Sequence, residues 1–142
     1  MKKTIFPLLL IFVISSTYGQ AKIAKTNETV WLCTYKVKGD KRQQYEHFIH
    51  DILWAGASKL SGNERKIFSQ TRIMHPEKIE KDGTYLYSFL MDPVIKNTDY
   101  DIHSLIKKMY GAKKGEEYYK IFNDAITKES DYTQINMVQS KD

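Results

Sequence analysis

The chain is poor in the residues that staple or fragment small proteins. It has one cysteine, so it can form no internal disulfide and build no cysteine-rich metal site. Three prolines and seven glycines in 142 residues exclude collagen-like and proline-rich low-complexity classes. It also lacks a dominant charge, since 22 Lys and Arg against 17 Asp and Glu leave a formal +5. Proteins that hold nucleic acid gather their bases on one face. Here the bases are scattered among acids, and no nucleic-acid partner is expected. Aromatic residues are abundant: ten Tyr, six Phe and two Trp, within a 42% hydrophobic composition. That supply excludes a wholly disordered chain and suits one globular domain, with no length left for a second.

The one long apolar run is N-terminal. Lys2 and Lys3 precede Ile5–Ile14, which only Pro7 interrupts, and Ser15, Ser16, Thr17 and Gly19 supply small residues before a cleavage point. The run is shorter than the roughly 20 apolar residues of a bilayer span. Residues 1–19 therefore read as a secretory signal, not a stable membrane anchor, and the mature protein is expected outside the cytoplasm, secreted or periplasmic. Cleavage after Gly19 leaves 20 bases against 17 acids, a mild +3. Residues 20–29 are polar and aperiodic and read as a flexible leader; 30–140 reads as a single domain.

Val30–Val37 is rich in β-formers and reads as a strand. Asp40 suits a helix N-cap. Tyr45, Phe48, Ile49, Ile52, Leu53, Gly56 and Leu60 then recur at helical spacing, up to a stop at Ser61-Gly62-Asn63. Lys66–His75 and Thr84–Met91 read as two strands around a turn containing Asp82-Gly83. Asp99 is placed to cap a helix with the stripe Ile102, Leu105, Ile106 and Met109, which ends at Gly111. Gly115 opens a third helix with the stripe Tyr118, Ile121, Phe122, Ala125 and Ile126, and Tyr132–Val138 reads as the last strand. The order β-α-β-β-α-α-β is a ferredoxin-like α+β plan: a four-stranded antiparallel sheet with helices on one face. In the first and third strands both faces carry large apolar side chains, so both faces are expected to be covered.

On this element order and these two-faced strands, Val30 to Ser140 resembles the dimeric α/β-barrel superfamily, whose members pair two ferredoxin-like sheets. Within it the chain is most similar to small exported bacterial proteins of unestablished role. The resemblance implies a homodimer with apposed sheets. The superfamily also includes monooxygenases, both haem-degrading and quinone-forming, which implies an enzyme as an alternative. Its haem-degrading members use an Asn, Trp and His set that Trp31 and Trp54 do not match, so no catalytic residue carries over and the cofactor stays open.

His47, His50, Asp51 and Trp54 lie at i, i+3, i+4 and i+7, on one side of the first helix. Their donors suit a transition metal, but His75 or His103 would have to converge on them. Without that support they form a solvated face, and no metal is assigned. Cys33 sits between apolar neighbours and reads as a small buried hydrophobe. Gln70 and Arg72 in the second strand, and Asn136 in the last, place polar groups where a core would want apolar ones. Together with Tyr35 or Tyr87 they would line a cavity for a small anionic or aromatic ligand; on edge strands they would simply meet solvent. The connection Asp92–Tyr100 is placed to gate such a cavity. The leading reading is an exported, dimeric, small-molecule-binding protein. A monooxygenase-type enzyme, haem-using or cofactor-independent, is the alternative, and an interaction module working through a sheet edge is the third.

Expressed with its signal in a secreting bacterium, the exported form should begin at Gln20 or within a residue or two of it. Intact mass of the exported fraction decides this; a chain still carrying Met1 to Gly19 would remove the signal.

Overall fold

A computed structural model describes residues 23–128 and 131–141. Residues 1–19, expected to be a secretory signal, lie outside the described residues. Four strands, β1 (Thr29–Lys38), β2 (Thr71–Met74), β3 (Thr84–Met91) and β4 (Thr133–Val138), form one antiparallel sheet in the order β2-β3-β1-β4. This is the ferredoxin-like α+β plan, with β1 and β3 central and β2 and β4 at the edges. Among the described residues no helix is long and apolar enough to cross a membrane.

Pairing of β1 with β3 sets Trp31 against Met91, Cys33 against Phe89, Tyr35 against Tyr87 and Val37 against Tyr85. Because side chains alternate along a strand, these eight share one face. The helices cover that face. Helix α1 (Arg42–His47) continues as a π-helical stretch, Phe48–Trp54, and together they bury Tyr45, Phe48, Ile49, Ile52 and Leu53. Helix α3 (Ile102–Tyr110) adds Leu105, Ile106 and Met109, and α4 (Ala112–Ala125) adds Phe122 and Ala125. The other sheet face carries Leu32, Leu86, Leu90, Ile135 and Met137 and stays outside this core.

Several expected boundaries move. The stretch read as a strand from Lys66 to His75 is helical over its first half: α2 spans Gly62–Gln70, and only Thr71–Met74 pairs with β3. A helix start was present in Ser61-x-x-Glu64, and α2 turns its one buried residue, Ile67, inward. Asp40 caps nothing, because a 3-10 turn at Gly39–Lys41 leads into α1. Asp101, not Asp99, caps α3, accepting from the Ser104 N–H at 2.7 Å. Residues 23–28, expected to be loose, are tied down. The Ala24 N–H donates to Asp92 Oδ1 at 2.8 Å, and the Asn27 N–H donates to the Gln139 carbonyl at 3.0 Å.

Helix α4 starts at Ala112, directly after Gly111 (φ 81°), so Gly115 lies inside it and not at its start. There α4 crosses α3 closely: a Cβ on Gly115 would come within 2.8 Å of Lys107 Cα, which is backbone and cannot swing away. Gly115→Ala should therefore destabilise the protein by about 1–2 kcal/mol, the overpacking cost less the better helix propensity of alanine. Denaturant unfolding measures this, and an unchanged midpoint would mean that the two helices separate easily.

Candidate functional site

Between the sheet and the helices lies a cavity of about 70 Å³, which opens toward a larger cleft of about 390 Å³. Tyr35, Tyr100, Ile102, Tyr132 and Gln134 border both spaces. The inner walls are aromatic. Trp31 from β1 packs against Tyr100 with ring centres 5.2 Å apart, and Trp54 meets Phe68 of α2 edge-on at 5.1 Å. Tyr35 packs on Tyr132 at 4.9 Å and on Phe122 at 5.4 Å. Rings of this size meet at discrete angles and leave gaps that small side chains do not fill.

Two polar features break the aromatic lining. At the sheet side the Tyr132 hydroxyl donates to Gln134 Oε1 at 2.9 Å and lies 3.2 Å from Cys33 Sγ; Gln134 Nε2 in turn donates to Asn136 Oδ1 at 2.9 Å. At the α2 side Thr71 is 9% exposed, and its Oγ1 has no hydrogen-bond partner. The neighbouring Gln70 Oε1 is likewise buried and unpartnered. Buried hydroxyls are almost always satisfied, so an orphan in a cavity wall calls for an occupant, either water or a ligand.

The thiol and phenols that line the inner cavity are all pushed further from ionisation. Burial pushes the Cys33 thiol up, and the adjacent Tyr132 hydroxyl offsets this only in part. Burial also raises Tyr35, reinforced by Cys33, Tyr119 and Asp101 nearby. Tyr132 is raised by burial and by its contact with Cys33, and Tyr100 is raised by burial. No Asp, Glu, Lys, Arg or His borders the inner cavity among the described residues, and the outer cleft adds one acid, Asp101. Among the described residues the walls offer no histidine as a haem ligand.

The structure disperses the expected site. Tyr35 lines both spaces, and Asn136 joins them only through Gln134. Gln70 belongs to the end of α2, not to a strand. Arg72 pairs with Leu90 on the opposite sheet face, where its Nη2 donates to Asp92 Oδ2 at 2.7 Å. With Arg72 elsewhere, the cavity has no cation for an anionic ligand. Tyr87 shares the covered face, but its hydroxyl donates outside the cavity to Glu46 Oε1 at 2.5 Å. The histidines also regroup. His47 Nδ1 pairs with Asp51 Oδ2 at 2.8 Å, His103 Nε2 pairs with Glu116 Oε2 at 2.8 Å, and His50 meets His75.

The sequence reading grouped Trp54 with His47, His50 and Asp51 and gave Trp31 no site role, whereas both rings line the cavity, and it missed Thr71. Its parity was recoverable from the helix start at Ser61-x-x-Glu64, which confines β2 to the residues after Gln70.

No family model matches the chain, and no curated protein matches it. Among solved structures it is similar to a Caulobacter crescentus protein proposed to be an antibiotic biosynthesis monooxygenase. The identity is 11% and the TM-score 0.43, over 82% of this chain and 92% of that one.

Proposed function

We propose that this chain is an exported, dimeric protein that binds a small, flat, uncharged aromatic molecule between its sheet and its helices. The observation that carries this reading is the Thr71 hydroxyl, buried without a partner in an aromatic wall. An apolar ring lodged where the inner cavity meets the outer cleft gains from burial, and an acceptor atom on its inner edge satisfies Thr71. Substituents extend past Tyr132 and Gln134 into the outer cleft, whose volume falls within the usual ~300–1,000 Å³ of small-molecule sites. Among the described residues the inner cavity supplies hydrogen bonds but no Asp, Glu, His, Lys or Arg side chain, which favours binding over acid–base chemistry.

Both tryptophans of the chain border the inner cavity, so occupancy alters their emission. Titration of the mature protein with 1-naphthol should change this emission saturably, whereas 1-naphthalenesulfonate should not. Thr71→Val should keep the fold and weaken 1-naphthol by about two- to tenfold, the loss of one neutral hydrogen bond. No response to 1-naphthol, or equal responses to both compounds, would end this reading. Oxygen uptake that depends on the bound phenol would instead favour the monooxygenase alternative.

The sheet face away from the helices is the surface for pairing. Leu32, Leu90, Ile135 and Met137 form an apolar patch there, with Ile135 51% exposed, and Leu86 lies further along the same face beyond Thr34 and Ser88. Light scattering of the mature protein at micromolar concentration should give about 28 kDa, two chains of roughly 14 kDa each. Ile135→Arg should give monomers. A monomeric wild type would remove the dimer and leave the binding reading standing.

A further inference from the structure

Among the described residues no three His, Cys, Asp or Glu side chains converge as a ready ligand set for a metal. Two histidines do converge, from different elements. His50 stands in the π-helical stretch after α1, and His75 directly follows β2. Their Nε2 atoms are 3.2 Å apart, while their ring centres are 5.1 Å apart and the planes differ by 11°. The nitrogens are therefore much closer than the ring centres, so the rings meet through their Nε2 edges and do not stack face to face.

We propose that His50 and His75 are the two protein ligands of an open transition-metal site, completed by water, with Glu46 as the carboxylate that orients His75. In a tetrahedral site with metal–nitrogen bonds of 2.0–2.1 Å, two ligand nitrogens stand about 3.3–3.4 Å apart. The observed spacing lies within the ±0.2 Å expected of a real site. Two neutral imidazoles suit Zn²⁺, Ni²⁺ or Cu²⁺ and do not suit Mg²⁺ or Ca²⁺. Both rings are solvent-exposed, which leaves the remaining coordination positions to water.

The surroundings favour the required tautomer. Glu46 Oε1 lies 3.6 Å from His75 Nδ1. This is longer than a hydrogen bond, and a small closing movement would let Glu46 accept from Nδ1 and leave the Nε2 lone pair for the metal, the arrangement in which a carboxylate supports a metal-bound imidazole. Glu46 is itself anchored, accepting from the Tyr87 hydroxyl at 2.5 Å and from Arg42 Nε at 2.9 Å. In the absence of metal, one imidazole donates to the other. His47 pairs through its Nδ1 with Asp51 and does not join the contact between His50 and His75. None of these residues borders the aromatic cavity, so this site stands independently of the ligand proposed there.

The test uses the untagged mature protein and Zn²⁺ alone. Calorimetry should report one Zn²⁺ per chain, and saturating Zn²⁺ should raise the melting temperature, as any ligand of the native state does. His50→Ala and His75→Ala should each abolish both effects while melting like the wild type without metal. His47→Ala should keep both effects, and Glu46→Gln should weaken binding by about 10- to 100-fold. Ring ¹⁵N spectra of the wild type should show Zn²⁺ moving the Nε2 signals of His50 and His75 alone, a readout independent of how any variant folds. Zn²⁺ binding that survives in His50→Ala or His75→Ala, shifts at His47 or His103 instead, or no zinc response at all would each overturn the site. Unchanged affinity in Glu46→Gln would remove the role given to Glu46.

Discussion

The pairing of β1 with β3 sets eight side chains, Trp31, Cys33, Tyr35, Val37, Tyr85, Tyr87, Phe89 and Met91, on one side of the sheet. A slip of one residue in either strand would turn its whole set to the other face. The register therefore decides which face the helices can use. It also decides that the leftover apolar residues, Leu32, Leu86 and Leu90, form a second surface. A one-layer sheet with two greasy sides has only one set of helices to offer, and the remaining side must meet water or another surface.

The same register makes the cavity. The central strands place wide rings beneath α1 and α3, and these rings tilt against one another at angles from 30° to 88°. At the β4 edge the covered face changes character, because Gln134 and Asn136 stand opposite Cys33 and Trp31. All of β4 is exposed. The helical layer thus ends before the sheet does, and the cavity opens at that margin. Polarity at the edge and aromaticity at the centre divide the space into a wet mouth and a dry interior.

The sequence was legible where one period dominated. β3 was read at its true bounds and β1 to within a residue at each end, because both are short runs rich in β-branched, aromatic and other large apolar residues, with Gly or Pro just beyond one end or both. The stripes of α3 and α4 were equally plain. Lys66–His75 was misread because Ile67, Phe68, Ile73 and Met74 fit a strand about as well as a helix, and the helix start sits outside that window. The site was harder to read, since membership in it depends on parity across strands. Arg72 and Thr71 are adjacent, yet one meets solvent beside Asp92 and the other lines the cavity. The meeting of His50 and His75 depends on where β2 begins, which the misread helix had obscured.

The chain also sets an order in which these parts can come into being. β1 must find β3 some fifty residues on, and its other partner, β4, about a hundred residues on, with Thr29 finally opposite Val138. Closing a longer loop costs more entropy before any contact rewards it, and such distant pairings slow folding. The helices and the β1–β3 pair can assemble around the core while the C-terminal strand is still free. Tyr132 and Gln134 arrive with that strand, so the outer wall of the cavity is built last, onto a core that already holds its shape.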